Sequence, residues 1–247
     1  MVARPMQLDV LFMDNHLLVV SKPPGLLVQA DRTGDPDLLS VARAFIKEKC
    51  NKPGRGFMGL VHRLDRPVSG VMVLALSSKA ASRLSEQFRR RVPEKRYLAI
   101  VEGVCRGEGN RVDYLVKENQ KVRIVKPSHP KARHAELSWR AVAQRKDLSL
   151  LEIKLKTGRA HQIRVQLAHM GFPIIGDFRY GAKRELDGKN LALHCYYLAL
   201  EHPVKREMTH WKAAPPASWC GLFDKEIVRI LKAQPEGEGP EEHPPGQ

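Results

Sequence analysis

Cysteine is scarce in this 247-residue chain: the four residues, Cys50, Cys105, Cys195 and Cys220, lie far apart and form no C-x-x-C pair. Neither a zinc site nor a disulfide framework is indicated, and reduced thiols in a reducing compartment fit best. No apolar run approaches the roughly 18 residues of a membrane span. Met1 to Leu8 lacks an apolar core with a cleavage site behind it, so no signal peptide is expected and a cytoplasmic protein is the simplest reading. The histidines show no metal-ligand spacing, no glycine loop of the P-loop or dinucleotide type occurs, and no segment repeats. Metal and cofactor are therefore both expected to be absent.

Acidic residues are the other shortage. Lysine and arginine number 42 against 27 aspartates and glutamates, for a formal charge of +15. Residues 234–247 hold four glutamates and no lysine or arginine, so the body through Ala233 carries a net +19. A body this basic calls for a polyanion or an anionic membrane surface as partner. A hydrophobic content of 43% suffices for one well-buried domain over 1–233, whereas the Pro, Gly and Glu of 234–247 lack apolar side chains to pack and predict a disordered tail.

Local patterns predict a mixture of strands and helices. Leu8 to Phe12 and His16 to Val20 read as a hairpin around Asp14-Asn15. Leu38, Val41, Ala42, Phe45 and Ile46 fall at helical spacing behind Asp37 as a cap, and Asn51 to Gly56 follows as a basic Gly-Pro loop. Val71 to Leu76 predicts a buried strand, after which Ser77 or Ser78 caps a helix to about Arg91 with Leu84 and Phe88 inward. The five basic residues Arg89, Arg90, Arg91, Lys95 and Arg96 form a cluster that reads either as a solvated helix end stabilised by its dipole or, beside a nucleic-acid site, as a phosphate contact. Lys95 to Gly103 is an apolar strand with Tyr97 at its entrance. Val104 to His134 predicts two strands with a basic, nucleic-acid-facing side. Ala135 to Ala143 and Leu148 to Lys156 look paired, the second with Leu151, Ile153 and Leu155 on one face. Ile163, Leu167 and Met170 share a helical face. Leu191 to Pro203 and Met208 to Ala213 suggest late strands, with His194 as a satisfied core histidine, and Trp219 to Lys232 a closing helix.

The stretch Gly59 to Gly70, G-L-V-H-R-L-D-R-P-V-S-G, crowds His62, Arg63, Asp65, Arg66 and Ser69 between two apolar runs. Charges in such a place are costly unless they are paired or used. His62, Asp65 and Ser69 supply the residue types of a hydrolytic triad. Triads, however, are assembled from distant segments, and Ser69 lacks the G-x-S-x-G elbow.

This stretch resembles the H-R-L-D-x-x-T-S-G signature of the RluA-type pseudouridine synthases, with Val68 in place of threonine. K-R-Y-L-A-I-V-E-G from Lys95 resembles the family's K-x-Y-x-A-x-V-x-G segment. T-G-R-A-H-Q-I-R-V-Q from Thr157 resembles its T-G-R-T/S-H-Q-I/L-R-V-H motif, with Ala160 and Gln166 as departures. V-V-S-K-P-P-G near the start and G-D-F-R-Y-G near Tyr180 are also family-like, and the likeness spans about 8–213.

The resemblance implies an α+β fold, a largely antiparallel mixed sheet with flanking helices and a central cleft. It implies an RNA pseudouridine synthase that isomerises uridine in structured RNA, tRNA or rRNA, without a cofactor. Asp65 would be the nucleophile, Arg164 its ionic partner, and Tyr97 would lie against the base and help remove its proton. Arg63 would hold the displaced RNA open, Ile163 would line the pocket, and His62, Arg159 and His161 join them as expected substrate-binding residues. Motifs of this kind start almost at Met1, so the separate small RNA-binding domain of many relatives is expected to be missing. DNA and membrane are not expected partners, and a monomer is favoured. Two other classes share some of these features: an RNA-binding protein without catalysis, and a nucleosidase that releases free uracil. Neither would need Asp65, Tyr97 and Arg164 together.

Overall fold

The Asp14 carboxylate accepts the backbone N–H groups of His16 and Leu17 at 2.7 and 2.8 Å, which turns the chain and opens the first hairpin. The structure, a computed structural model, describes residues 7–50, 57–119, 121–188 and 190–234. The expected loop 51–56 and nearly all of the acidic tail fall outside the described residues. In chain order the elements are β1 (Asp9–Met13), β2 (Leu17–Lys22), α1 (Leu38–Cys50), β3 (Gly59–Leu60), β4 (Ser69–Ala75), α2 (Ser78–Arg90), β5 (Glu94–Glu102), β6 (Glu108–Glu118), β7 (Lys121–Val125), β8 (Arg133–Arg145), β9 (Leu148–Leu155), α3 (Gln162–His169), β10 (Leu193–Glu201), β11 (Met208–Lys212) and α4 (Asp224–Lys232).

All strands join one mixed sheet in the order β1-β2-β4-β10-β5-β9-β8-β6-β7, with β3 added on β4 and β11 on β10. Every pairing is antiparallel except that between β4 and β10. That parallel contact is brief, Ser69 opposite His194 and Gly70 opposite Cys195, after which the two strands part. β3 takes the freed edge of β4, and β11 takes that of β10 from Tyr197 onward. The charged loop 61–68 enters the sheet at this fork.

β4 is buried at all seven positions, and β10 at all but its last. This explains why both read as apolar runs rather than alternating strands. Leu18, Met72, Leu74, Leu98, Ile100 and Leu193 belong to one apolar core around these strands, each contributing roughly 1.5–3 kcal/mol by burial. Asp37 caps α1 by accepting from Ser40 N at 3.2 Å, and Ser77 caps α2 by accepting from Ala80 N at 3.2 Å. His194 is buried and satisfied: its Nδ1 lies 2.8 Å from Ser69 Oγ and its Nε2 lies 3.0 Å from the Ala213 carbonyl.

One expectation needs correction. The closing helix starts at Asp224, not Trp219, because Ala217–Trp219 forms a 3-10 turn and Gly221, at φ +84°, turns the chain before the helix begins. The alternation expected of β9 holds, with Leu151 and Ile153 buried between the more open Glu152 and Lys154, and ahead of it Ser149 and Leu150 are buried as well. Ser149 Oγ is satisfied there by donating to the Gly103 carbonyl at 2.8 Å.

Candidate active site

The loop carrying Asp65 is held from beneath by the Lys-Pro-Pro-Gly segment. Lys22 has no exposed surface and donates to the carbonyls of Pro23, Leu26 and Arg66 at 2.9, 2.9 and 3.1 Å. Burial pulls its pKa down to about 7, against the opposing pull of Asp65; three acceptors suit the three protons of its charged form. The Arg66 carbonyl also accepts Gly25 N at 2.9 Å, while its guanidinium returns to Gly25 O at 3.0 Å and Asp35 at 2.7 Å. Val68 N donates to Asp65 O at 3.1 Å and closes the turn. At the loop's exit, a Cβ on Gly70 would stand 2.2 Å from the Cys195 carbonyl, and its φ of +124° suits glycine alone. β10 thus passes directly against the loop that carries Asp65.

His62 faces the cleft, but its polar edge is committed. Nε2 accepts Val73 N at 3.0 Å on the edge of β4 that β10 has left, and the ring stacks on Phe88 at 4.7 Å. Burial lowers its pKa to about 3, with Lys95 adding to the fall, so it sits there as a neutral acceptor that continues the strand's hydrogen bonding. Arg63 is exposed in the cleft and makes no ion pair among the described residues.

Asp65 meets two side chains of the α3 start. Arg164 Nη1 lies 3.2 Å from Asp65 Oδ2, and His161 Nε2 lies 3.7 Å from the same oxygen. The Asp65 side chain keeps 29% of its surface open, whereas Arg164 keeps 6%. Arg164 is also gripped by Asp177, Nε to Oδ2 at 2.7 Å and Nη2 to Oδ1 at 2.8 Å. Burial alone would lower the Arg164 pKa, but Asp177 and Asp65 together push it up. The guanidinium therefore spans two carboxylates, one fully buried and one facing the cleft, a task for a planar fork rather than a point charge.

Tyr97 on β5 stands opposite Cys195 of β10, near Asp65. Burial, with Cys195 and Asp65, holds its phenol pKa well above the usual value. That direction is the reverse of what a general base needs. Tyr97, Leu64, Val68, Leu155, Ile163 and Leu193 line a recess of about 70 Å³ whose polar rim includes Asp65 and Arg164. The recess opens into a cleft of about 1330 Å³ that Arg63, Arg91, Lys95, Lys117, Arg159 and His161 help to line. Arg159 Nε donates to His134 O at 2.9 Å. Its pKa is lowered by burial, Arg91 and Arg133, the mark of cations crowded together. Arg96 does not join them. It follows Lys95 on a strand, points to the opposite side of the sheet and is paired with Glu94, at the cleft's edge, at 2.7 Å.

Asp65, Arg164, His161, Tyr97, Ile163, Arg63, Arg159 and His62 thus all line the cleft or its recess. Sequence reasoning assigned no role to Lys22, Asp177 or Tyr180. All three stand in family-like segments, the Lys-Pro-Pro-Gly and Gly-Asp-Phe-Arg-Tyr-Gly stretches, and that was the available signal. Among the described residues no three His, Cys, Asp or Glu side chains gather as a metal site, and no helix is long and apolar enough to cross a membrane.

Comparisons with known proteins place the chain in a family. The chain is 32% identical over 246 residues to the ribosomal large subunit pseudouridine synthase D of Yersinia pestis, covering 93% of this chain and 72% of that one. It is 32% identical over 254 residues to the tRNA pseudouridine synthase C of Vibrio parahaemolyticus, covering 91% and 99%. Among solved structures, human RNA Pseudouridylate Synthase Domain Containing 4 superposes with a TM-score of 0.72 at 25% identity, over 92% of this chain and 94% of that one. The sequence model of the RNA pseudouridylate synthases matches residues 16–169. With Asp65 on its loop at the sheet fork and Arg164 beside it, the chain belongs to the RNA pseudouridylate synthase family, whose enzymes are isomerases.

Proposed function

We propose that this chain converts uridine to pseudouridine in structured RNA, tRNA or rRNA, with Asp65 as the nucleophile and no cofactor. The observation that carries the reading is a half-open carboxylate, tied to a buried arginine, at the rim of an apolar recess inside a basic cleft. The relatives named above act on ribosomal RNA and on tRNA, which supports both substrate classes.

The reaction breaks the C1′–N1 bond, turns the uracil, and forms a bond from C5 to C1′ while the C5 proton is lost and N1 gains one. Electrons and atoms balance without a redox partner. Asp65 can attack C1′ or stabilise the positive charge that grows there, as carboxylates do in glycoside hydrolysis. Arg164 favours the ionised carboxylate, and Asp177 supplies the second negative charge that keeps Arg164 in place. A stacked uracil is out of reach, so it must flip into the recess, where Ile163 and the Tyr97 ring can flank it. With its phenol pKa raised, Tyr97 offers a ring face and a hydroxyl rather than a phenolate. Arg63 is free to fill the gap left in the RNA, while Arg159 and its neighbours meet phosphates. His161 lies beside Asp65, and His62 braces the cleft wall.

The test is tritium release from RNA labelled at uridine C5. The wild-type protein is expected to release tritium, and Asp65→Asn to lose at least about a thousandfold in rate while binding the same RNA with similar affinity. Turnover by Asp65→Asn near the wild-type rate would remove Asp65 from this role.

A further inference from the structure

His161 has a backbone conformation that histidine rarely adopts. At φ 49° and ψ 21° it is left-handed, at the N-cap of α3, yet its side chain makes no capping bond. Strain of this kind at a cleft residue points to a use for the ring. The ring is held at Nδ1, 2.8 Å from the Tyr180 hydroxyl, while Nε2 faces Asp65 Oδ2 at 3.7 Å.

The Tyr180 hydroxyl decides which nitrogen carries the proton. A backbone N–H can only donate, so the hydroxyl oxygen accepts from Val122 N at 3.0 Å. Donation of its single proton to His161 Nδ1 gives the phenolic proton a protein acceptor, whereas the opposite arrangement leaves that proton to solvent. With Nδ1 bare, the neutral ring carries its proton on Nε2, the nitrogen nearest Asp65. At 3.7 Å this is too long for a hydrogen bond in the empty cleft but within reach of the carboxylate's field. Asp65, Arg164, Arg179, Asp177 and Tyr180 surround the ring, and burial with the two arginines outweighs the carboxylates and lowers its pKa. The neutral tautomer is therefore the one that matters near pH 7.

Val122 belongs to β7, the last strand in the sheet order, in a hairpin with β6. Lys121 and Arg123 flank it, and Lys117, opposite it, lines the cleft. We propose that Tyr180 and His161 are positioning residues that tie the β6–β7 hairpin to Asp65, Tyr180 fixing the His161 tautomer whose N–H faces the carboxylate. An RNA phosphate engaging the hairpin would then be felt at the nucleophile. The 3-10 turn Phe178–Tyr180 and the preceding Asp177 thereby support both partners of Asp65, Asp177 through Arg164 and Tyr180 through His161.

The inference rests on Asp65 as nucleophile, but its first test does not need turnover. Nitrogen-15 spectra of the histidine rings in RNA-free protein are expected to show His161 protonated at Nε2 and bare at Nδ1, and to show a tautomer mixture in Tyr180→Phe. Tyr180→Phe is expected to lower kcat for tritium release roughly 10- to 100-fold with KM for RNA little changed. His161→Gln, whose amide can still donate toward Asp65, should retain more turnover than His161→Leu. An Nδ1-protonated His161 in the wild-type protein overturns the proposal, whether or not the variants fold. So does a Tyr180→Phe protein with unchanged tautomer and unchanged kcat, or one that loses RNA affinity rather than turnover. Absence of tritium release from the wild-type protein would instead strike at the Asp65 reading.

Discussion

β5 separates two groups of cations that the same sheet treats differently. Arg96, turned away from the cleft, pairs with Glu94 at the cleft's edge at 2.7 Å and lies over the Tyr197 ring at 5.2 Å, and its neighbour Arg140 pairs with Glu152. On the cleft side, Arg63, Arg91 and Arg159 form no ion pair among the described residues, and Arg159 is crowded by Arg91 and Arg133. Paired cations are neutralised within the fold and have little left for a polyanion. Unpaired ones repel each other until phosphates arrive and release their counterions. The net charge of +15 is thus an average over cations already spent and cations held ready. The cleft holds both kinds, since Arg66, Lys154 and Lys156 there are paired with Asp35, Glu94 and Glu136 while Arg63, Arg91 and Arg159 are not.

Arg164 bridges the two regimes, and disturbing it should have the largest effect. Arg164→Lys keeps the charge but cannot span Asp65 and Asp177 with a planar fork. Leaving the buried Asp177 poorly paired is expected to cost about 3 kcal/mol in denaturant unfolding, and tritium release should fall at least about a hundredfold. A variant with unchanged unfolding would show that Asp177 does not depend on this grip.

The interior around the loop should answer pH where the cleft cations do not. Burial holds His194 at about 4, below the ordinary histidine value of 6.5. The unfolded chain therefore binds a proton before the folded one does, so stability is lost as pH falls from about 6.5 toward 4. For His194 this amounts to about 2 kcal/mol between pH 7 and pH 5. His62, lowered to about 3, acts in the same direction. Unfolding curves at the two pH values should show the loss, and His194→Gln, which can keep both hydrogen bonds, should roughly halve it.

The smallest effects should divide most cleanly between the two faces. Arg63→Gln, Arg91→Gln and Arg159→Gln should each weaken RNA binding a few-fold and reduce the salt slope by about one. Arg96→Gln should leave both unchanged. Equal losses on both faces would mean that pairing within the fold does not decide which cations meet RNA.

Much of this was legible in the chain. Asp65, Tyr97 and Arg164 stood in spaced motifs, and α2 could be read from Ser77 to Arg90 because its cap and its inward Leu84 are local signals. The parallel strands were visible as apolar runs because both of their faces are covered. Lys22 was not legible, since a lysine buried without exposed surface is recognised only once three carbonyls converge on it. Asp177 and Tyr180 were seen as part of a motif but given no task, because their partners Arg164, His161 and Val122 come from separate elements. The misplacement of Arg96 was avoidable. Strand alternation already sets it opposite Lys95 and Tyr97.

The most direct test of the central claim is a pseudouridine map of tRNA and rRNA from cells lacking this gene, complemented with the wild-type protein or with Asp65→Asn. The account predicts that one or a few pseudouridines disappear without the gene and return only with the wild-type protein. An unchanged map across the expressed RNAs, or restoration by Asp65→Asn, would contradict it.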